Sequence, residues 1–156
     1  MVRVLFVCLG NICRSPMAEA VFRHLVIKEG LNGKIEVDSA GTGDWHVGQP
    51  PHKGTRKKLD EYRIDHGSIR ARQLNRQDLM NFNYVIAMDE KNLADIKAIA
   101  EEKSTAYIAR LMDLVEDSTF LDVPDPYFTG NFDVTYELVK KGCEQLLTFI
   151  RKQEQI

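Results

Sequence analysis

The chain has 156 residues, 44% apolar and 28% charged, with 21 Lys and Arg against 23 Asp and Glu for a net charge of −2. That length supports one domain over residues 1–156 with a core of its own, and the composition excludes a disordered chain, a collagenous repeat and a coiled coil. The near-neutral balance gives no field for non-specific nucleic-acid binding, and three cysteines point to a reducing cytoplasm rather than a disulfide framework.

Val2–Val7 is a short, β-branched apolar run that reads as a buried strand. Extended to Leu9 it contains Arg3, is too short to span a bilayer, and lacks the small-residue cleavage site of a secretory signal. No membrane association is expected. Ser15-Pro16 places an N-cap residue before a proline at the first helical position. Ala18, Val21, Phe22 and Leu25 follow at helical spacing, and Gly30 supplies the stop. A second strand, Ile35–Val37, leads into a loop over Ser39–Pro51, and helical pattern resumes over Gly54–Tyr62. Tyr84–Met88 is the third strand, a helix begins near Glu90, and Ala106–Ala109 is the fourth strand candidate. Asp117–Asn131 reads as loop, and a last helix fits Asp133–Lys152 with Val139, Cys143, Leu146 and Ile150 on one face. Short apolar strands alternating with helices predict an α/β fold whose parallel sheet is covered on both faces. In such sheets ligands bind where strand ends lead into helix N-termini.

The turn after the first strand carries the chemistry. Cys8-Leu9-Gly10-Asn11-Ile12-Cys13-Arg14-Ser15 brackets five residues between a thiol and a guanidinium, and a hydroxyl follows. A loop curled around an oxyanion presents successive N–H groups to it, reinforced by the helix dipole. Gly10 is expected to take the backbone conformation that other residues resist. Arg14 can grip two phosphate oxygens with its planar fork. The same N–H groups would favour the thiolate of Cys8 as nucleophile, and Ser15 can cap the helix and donate to the departing sulfur. With three cysteines, ten arginines and twelve serines and threonines, chance occurrences of this spacing number about 0.015. Placement between a strand and a capped helix sharpens the signal further.

Phosphoryl transfer through cysteine also needs an acid for the leaving group. Asp125, held between Pro124 and Pro126 with Tyr127 beside it, is the candidate; alone, Asp-Pro would read as a plain turn.

These residues, with VLFVCLGNICRSPMAEA at 4–20, DSAGT at 38–42, the Trp45 loop, ARQ at 71–73, AMDEKNL at 87–93 and PDPYF at 124–128, make the chain resemble the low-molecular-weight protein tyrosine phosphatases from end to end. The resemblance implies a small doubly wound sheet of four parallel strands with helices on both faces, and a hydrolysis that uses neither metal nor cofactor. It implies Cys8 as nucleophile, Arg14 on the phosphate, and Asp125 as acid and then base. It implies tyrosine-phosphorylated proteins as partners of a cytoplasmic enzyme, and the chain is expected to be a monomer open to weak self-association. Leu9, Gly10, Asn11, Ile12 and Cys13 would form the phosphate cradle, with Asn11, Ser15 and Ser39 holding the loop in shape. Trp45 and Tyr127 would line the slot for the substrate ring. A reversible Cys8–Cys13 disulfide is implied as well. Where many members carry a histidine before the ARQ segment, this chain has Ile69, with His66 three residues earlier as a solvated loop histidine.

Other signals are weak. Cys143 reads as core. Gly41–His46 fails the dinucleotide fingerprint at His46, and histidines 24, 46, 52 and 66 show no metal-ligand spacing. Three competing functions share the loop. An arsenate reductase would need two further relay cysteines. A phosphoarginine phosphatase would carry threonine at Ile12 and a smaller residue than Tyr127. A phosphate-binding or redox-sensing module would be expected to lose Cys8 or Asp125.

Overall fold

The computed structural model describes residues 1–156. Its first strand, β1 (Val2–Cys8), is apolar on both faces because both faces are covered. Val4, Phe6 and Cys8 point into one hydrophobic cluster; Leu5 and Val7 point into another on the opposite side. α1 (Arg14–Lys28) follows and ends where Gly30, at φ 71°, lets the Leu31 amide turn back to the Val26 carbonyl. β2 (Ile35–Gly41), α2 (Lys53–Glu61), α3 (Asp78–Asn81), β3 (Tyr84–Ala87), α4 (Glu90–Ala100) and β4 (Tyr107–Arg110) come next. A 3₁₀ turn at Leu111–Leu114, α5 (Pro126–Thr129) and α6 (Phe132–Glu154) complete the chain.

All strands are parallel in the order β2-β1-β3-β4. α1 and α6 contribute Met17, Ala18, Val21, Phe22, Val139, Cys143, Leu146 and Ile150 to the cluster over Phe6 and Ile86. α3 and α4 contribute Leu79, Leu93 and Ile96 to the cluster over Leu5, Val7 and Val85. The fold is therefore the expected doubly wound α/β arrangement. Phe6 and Phe22 meet edge to face, with centroids 5.5 Å apart, and both are fully buried. Truncating either to alanine would cost about 3–5 kcal/mol.

The order places β1 between β2 and β3, so the chain winds away from β1 in both directions. The crevice at the carboxyl ends of β1 and β3 is where such sheets open to ligands. Three expectations need correction. β2 runs to Gly41 rather than Val37, because its polar half, Asp38-Ser39, pairs in register with Leu5 and Phe6. Asp117–Asn131 is not all loop: Asp125 accepts a hydrogen bond from the Tyr127 amide at 3.0 Å and caps the short α5. α1 begins at Arg14, not after a Ser15 cap; Cys13 holds the N-cap position without a side-chain bond. Pro16 still lies in the first turn, where its missing N–H leaves no bond unmade. Ser15 is thereby free for another task.

Candidate active site

The loop leaving β1 turns back on itself at Asn11, whose φ is 56° and whose backbone N–H donates to the Cys8 sulfur at 3.3 Å. Asparagine tolerates this left-handed conformation better than most residues. The expected role of Gly10 is therefore misplaced: its φ is not in that region, and its need is for space. A Cβ there would lie 3.1 Å from the His46 ring. The amides of Leu9, Gly10, Ile12, Cys13 and Arg14 donate to no protein acceptor, and all five residues line the pocket around Cys8. Unpaired amides gathered at a helix N-terminus form an anion cradle.

A buried chain of hydrogen bonds holds the loop, and its direction follows from counting protons. Glu19, on α1, accepts from the Ser39 hydroxyl at 2.6 Å, which leaves the Ser39 oxygen to accept from the Asn11 amide at 3.0 Å. The second hydrogen of that amide goes to the Ser15 oxygen at 2.8 Å. The hydroxyl proton of Ser15 is then directed at the Cys8 sulfur, 2.9 Å away. The Asn11 carbonyl accepts from the Arg72 amide at 2.9 Å. Every polar atom of the Asn11 side chain is thus used. Burial pushes the Glu19 carboxyl above its ordinary range, with Ser39 and Arg23 opposing the shift. Ile69 lies in the main core at 3% exposure, so no histidine joins this network; the Arg72 amide and the Glu19–Arg23 pair (2.5 Å) close it instead. His66 is not freely solvated: its ring nitrogen meets Asp60 at 2.8 Å.

Arg14 is buried and points across to β3. Its guanidinium donates to Asp89 at 2.7 Å and to the Val123 carbonyl at 2.9 Å, and stands 3.4 Å from Asp125. Burial alone would lower its affinity for a proton, but Cys8, Asp89 and Asp125 outweigh that and raise it. Asp89 was missed in the sequence. The available signal is general: a buried guanidinium needs a carboxylate, and AMDEKNL supplies one just past the strand adjoining β1. Asp125 spends Oδ1 on the Tyr127 amide and turns Oδ2 to Arg14.

The pocket encloses about 360 Å³. Its floor is Cys8, Leu9, Gly10, Ile12, Cys13 and Arg14; its walls are Trp45, His46, Asp125, Tyr127 and Phe128. Trp45, Tyr127 and Phe128 are 67%, 57% and 76% exposed, so the rim is wet, while the floor is buried except at half-buried Leu9 and Gly10. His46 has no local signature in the sequence, whereas Phe128 falls in the PDPYF segment and joins Tyr127 at the rim as an aromatic pair. Cys13 is buried, and burial foremost, with Asp125 and Cys8, pushes its thiol up to about 12. Ser39 lies outside the pocket and acts only through Asn11. No three His, Cys, Asp or Glu side chains are grouped to hold a metal ion, and no helix is long and apolar enough to cross a membrane.

Residues 3–156 match the family described as low molecular weight phosphotyrosine protein phosphatase. The chain is 56% identical over 156 residues, covering 100% of both, to the low molecular weight protein-tyrosine-phosphatase YfkJ of Bacillus subtilis. The crystal structure of YfkJ superposes with a TM-score of 0.96 over 98% of this chain and 96% of that one. PtpA of Staphylococcus saprophyticus, also a low molecular weight protein-tyrosine-phosphatase, is 43% identical, covering 97% of this chain and 96% of its own. The Drosophila arginine phosphatase DARP superposes with a TM-score of 0.89 at 34% identity, covering 95% of this chain and 97% of its own. A match from residue 3 to the last residue, joined to such identities, makes this chain a member of the low molecular weight phosphotyrosine protein phosphatases and so an enzyme of the protein-tyrosine-phosphatase class.

Proposed function

We propose that the chain hydrolyses phosphotyrosine in proteins through a phosphocysteine intermediate. The phosphate sits among the loop amides with Arg14 on its oxygens. The Cys8 thiolate attacks phosphorus as the bond to the phenolic oxygen breaks, and Asp125 gives its proton to that oxygen. Asp125, now a carboxylate, takes a proton from water; the water oxygen bonds to phosphorus, the S–P bond breaks, and inorganic phosphate and the thiolate are released. The observation that carries this reading is the pair of donors on one sulfur. The Asn11 amide and the Ser15 hydroxyl, at 3.3 and 2.9 Å, both stabilise a thiolate at Cys8 before attack and as leaving group afterwards.

An aryl substrate is favoured by the rim, where Trp45, Tyr127 and Phe128 stand over a deeply recessed sulfur. A phosphoserine phosphate, on a shorter stem, would not reach it. The likeness to DARP raises a phosphoarginine substrate as a second reading. Against it, the pocket offers apolar Ile12 and three exposed aromatic side chains where a guanidinium would want polar partners. Cys143 is fully buried on α6, which speaks against a thiol relay to arsenate. Three unpaired cysteines fit a cytoplasmic place of action.

Phosphate release from matched phosphotyrosine, phosphoserine and phosphoarginine peptides, with wild type and Cys8→Ser, tests the proposal. Turnover of phosphotyrosine alone, abolished in Cys8→Ser, is expected. Preferred turnover of phosphoarginine would overturn the substrate assignment, and activity surviving in Cys8→Ser would overturn the covalent route.

A further inference from the structure

The amino end of α2 is bolted to the phosphate loop. The His52 amide donates to the Ile12 carbonyl at 2.7 Å, and the Thr55 hydroxyl donates to the Cys13 carbonyl at 3.1 Å. The His52 ring lies 6.2 Å from that of Tyr127 and stacks at 5.3 Å on Phe132. This places the exposed face of α2 at the edge of the pocket mouth, and that face is basic: Lys53, Arg56 and Lys57 are all exposed. None of the three has a carboxylate within ion-pairing distance, whereas the neighbouring Lys58 is paired with both Asp133 and Glu61. Lys57 also lines a second depression of about 380 Å³ that adjoins the rim next to Phe128, where the two carboxylates present, Glu61 and Asp133, are both engaged by Lys58. Across the mouth, beyond Trp45, Lys91 is paired with Asp95. Three uncompensated cations on one short helix stand out in a chain whose net charge is −2. The His52 imidazole at the head of this helix is held below its ordinary range by burial first, then by Lys53, Arg56 and His46.

We infer that Lys53, Arg56 and Lys57 form a docking surface for an acidic segment of the substrate, adjacent in sequence to the phosphotyrosine held in the pocket. The inference rests on the phosphotyrosine reading above and narrows it to a class of phosphoprotein. An extended chain advances about 3.3–3.6 Å per residue, so residues two to four from the phosphotyrosine travel about 7–14 Å from the mouth, enough to leave Tyr127 and lie along α2. Asp or Glu there meets unpaired cations, and Lys or Arg is repelled. The attraction acts mainly on encounter and binding and is screened by salt.

The experiment compares two phosphotyrosine peptides, one flanked by Asp and Glu and its twin by Asn and Gln, with p-nitrophenyl phosphate as a probe too small to touch α2. The enzymes are wild type, the charge-reversed K53E/R56E/K57E and the neutralised K53Q/R56Q/K57Q. For wild type, kcat/KM should favour the acidic peptide by about tenfold at low salt, as expected for a few exposed ion pairs acting together, and the ratio should shrink as salt is raised. The ratio should fall to about one in the neutralised variant and invert in the reversed one, while p-nitrophenyl phosphate turnover stays constant in all three. Equal kcat/KM on both peptides for wild type, or a preference that survives charge reversal, overturns the docking surface while leaving the phosphatase reading intact. Wild type inactive on all three substrates would instead overturn that reading, and this inference with it.

Discussion

Asp89 performs two separable tasks, and replacing it should divide them. Its Oδ2 accepts from Arg14 at 2.7 Å, and its Oδ1 accepts from the Asn92 amide at 2.8 Å as the N-cap of α4. Asparagine keeps an oxygen for the cap but loses the charge. In Asp89→Asn, Arg14, at 3% exposure, retains only Asp125, 3.4 Å away, as a carboxylate partner. Breaking a buried pair costs about 3–5 kcal/mol; the Asp89 side chain is 23% exposed, and water reaching it reduces the expected loss to about 2–3 kcal/mol. For a chain of this size that lowers Tm by about 5–10 °C. Asp89→Ala also removes the cap, for about 1 kcal/mol more, or a further drop of about 3 °C. Drawing Arg14 toward Asp125 and away from the phosphate it is proposed to bind should lower kcat/KM about 100-fold in both variants, as expected for a misplacement near 1 Å. Thermal unfolding by circular dichroism and phosphate release together read all of this. Equal Tm for the two variants would refute the cap, and an Asp89→Asn enzyme of wild-type activity would refute the claim that Asp89 positions Arg14.

Glu19 offers a test of sign. Its folded pKa is raised, so its contribution to stability is full below its unfolded value and is lost as pH rises through the folded one. Glu19→Gln should therefore gain in Tm relative to wild type as pH rises above the ordinary carboxylate range, while losing activity because a side-chain amide can donate to Ser39 and reverse the chain of protons. A Tm difference independent of pH would dismiss this account. Gly41→Ala would place a Cβ 2.8 Å from the Leu9 carbonyl and 3.1 Å from the Asn11 Cβ. The backbone must shift, so kcat/KM should fall at least about tenfold with a loss of about 1–3 kcal/mol in stability; full activity would show that the loop is softer than its packing implies. After peroxide oxidises Cys8 to the sulfenic acid, Cys13 must attack as a thiolate, expelling hydroxide, to form a bridge. With its thiol raised to about 12, bridging followed by mass spectrometry should accelerate about tenfold per pH unit between about pH 6 and about pH 9, and a flat profile would count against Cys13 as the partner.

What the sequence made legible was whatever has a local period or a local motif. β1, the apolar faces of α1 and α6, and the cradle from Cys8 to Arg14 were of this kind. The second half of β2 was hidden because Asp38 and Ser39 look like loop residues; their strand conformation comes from pairing with β1. α5 was hidden inside an Asp-Pro turn, since its first residue serves equally to start either structure. The strained position fell on Asn11 rather than Gly10 because the side-chain amide of asparagine finds three partners there, which outweighs the greater backbone freedom of glycine. Glu19 and Arg72 were beyond reach as site residues, and Asp89 was reachable only through the general need of a buried guanidinium for a carboxylate. They join the site through contacts 20 to 75 residues away in sequence, and no spacing rule connects such positions.

Cys8 is at once the last residue of a core strand and the floor of the pocket, sharing a hydrophobic cluster with Phe6 and Ile86. The atom proposed as nucleophile is therefore anchored by the same interior whose loss would unfold the chain, whereas Trp45, Tyr127 and Phe128 hang from loops and a one-turn helix that the interior hardly needs. Chemistry and selectivity thus draw on different reservoirs of tolerance. Substitutions at the mouth can redirect the enzyme toward new clients without disturbing the sulfur. Those beneath it must preserve the whole architecture to preserve the reaction, so diversification among relatives has its cheapest route along the rim.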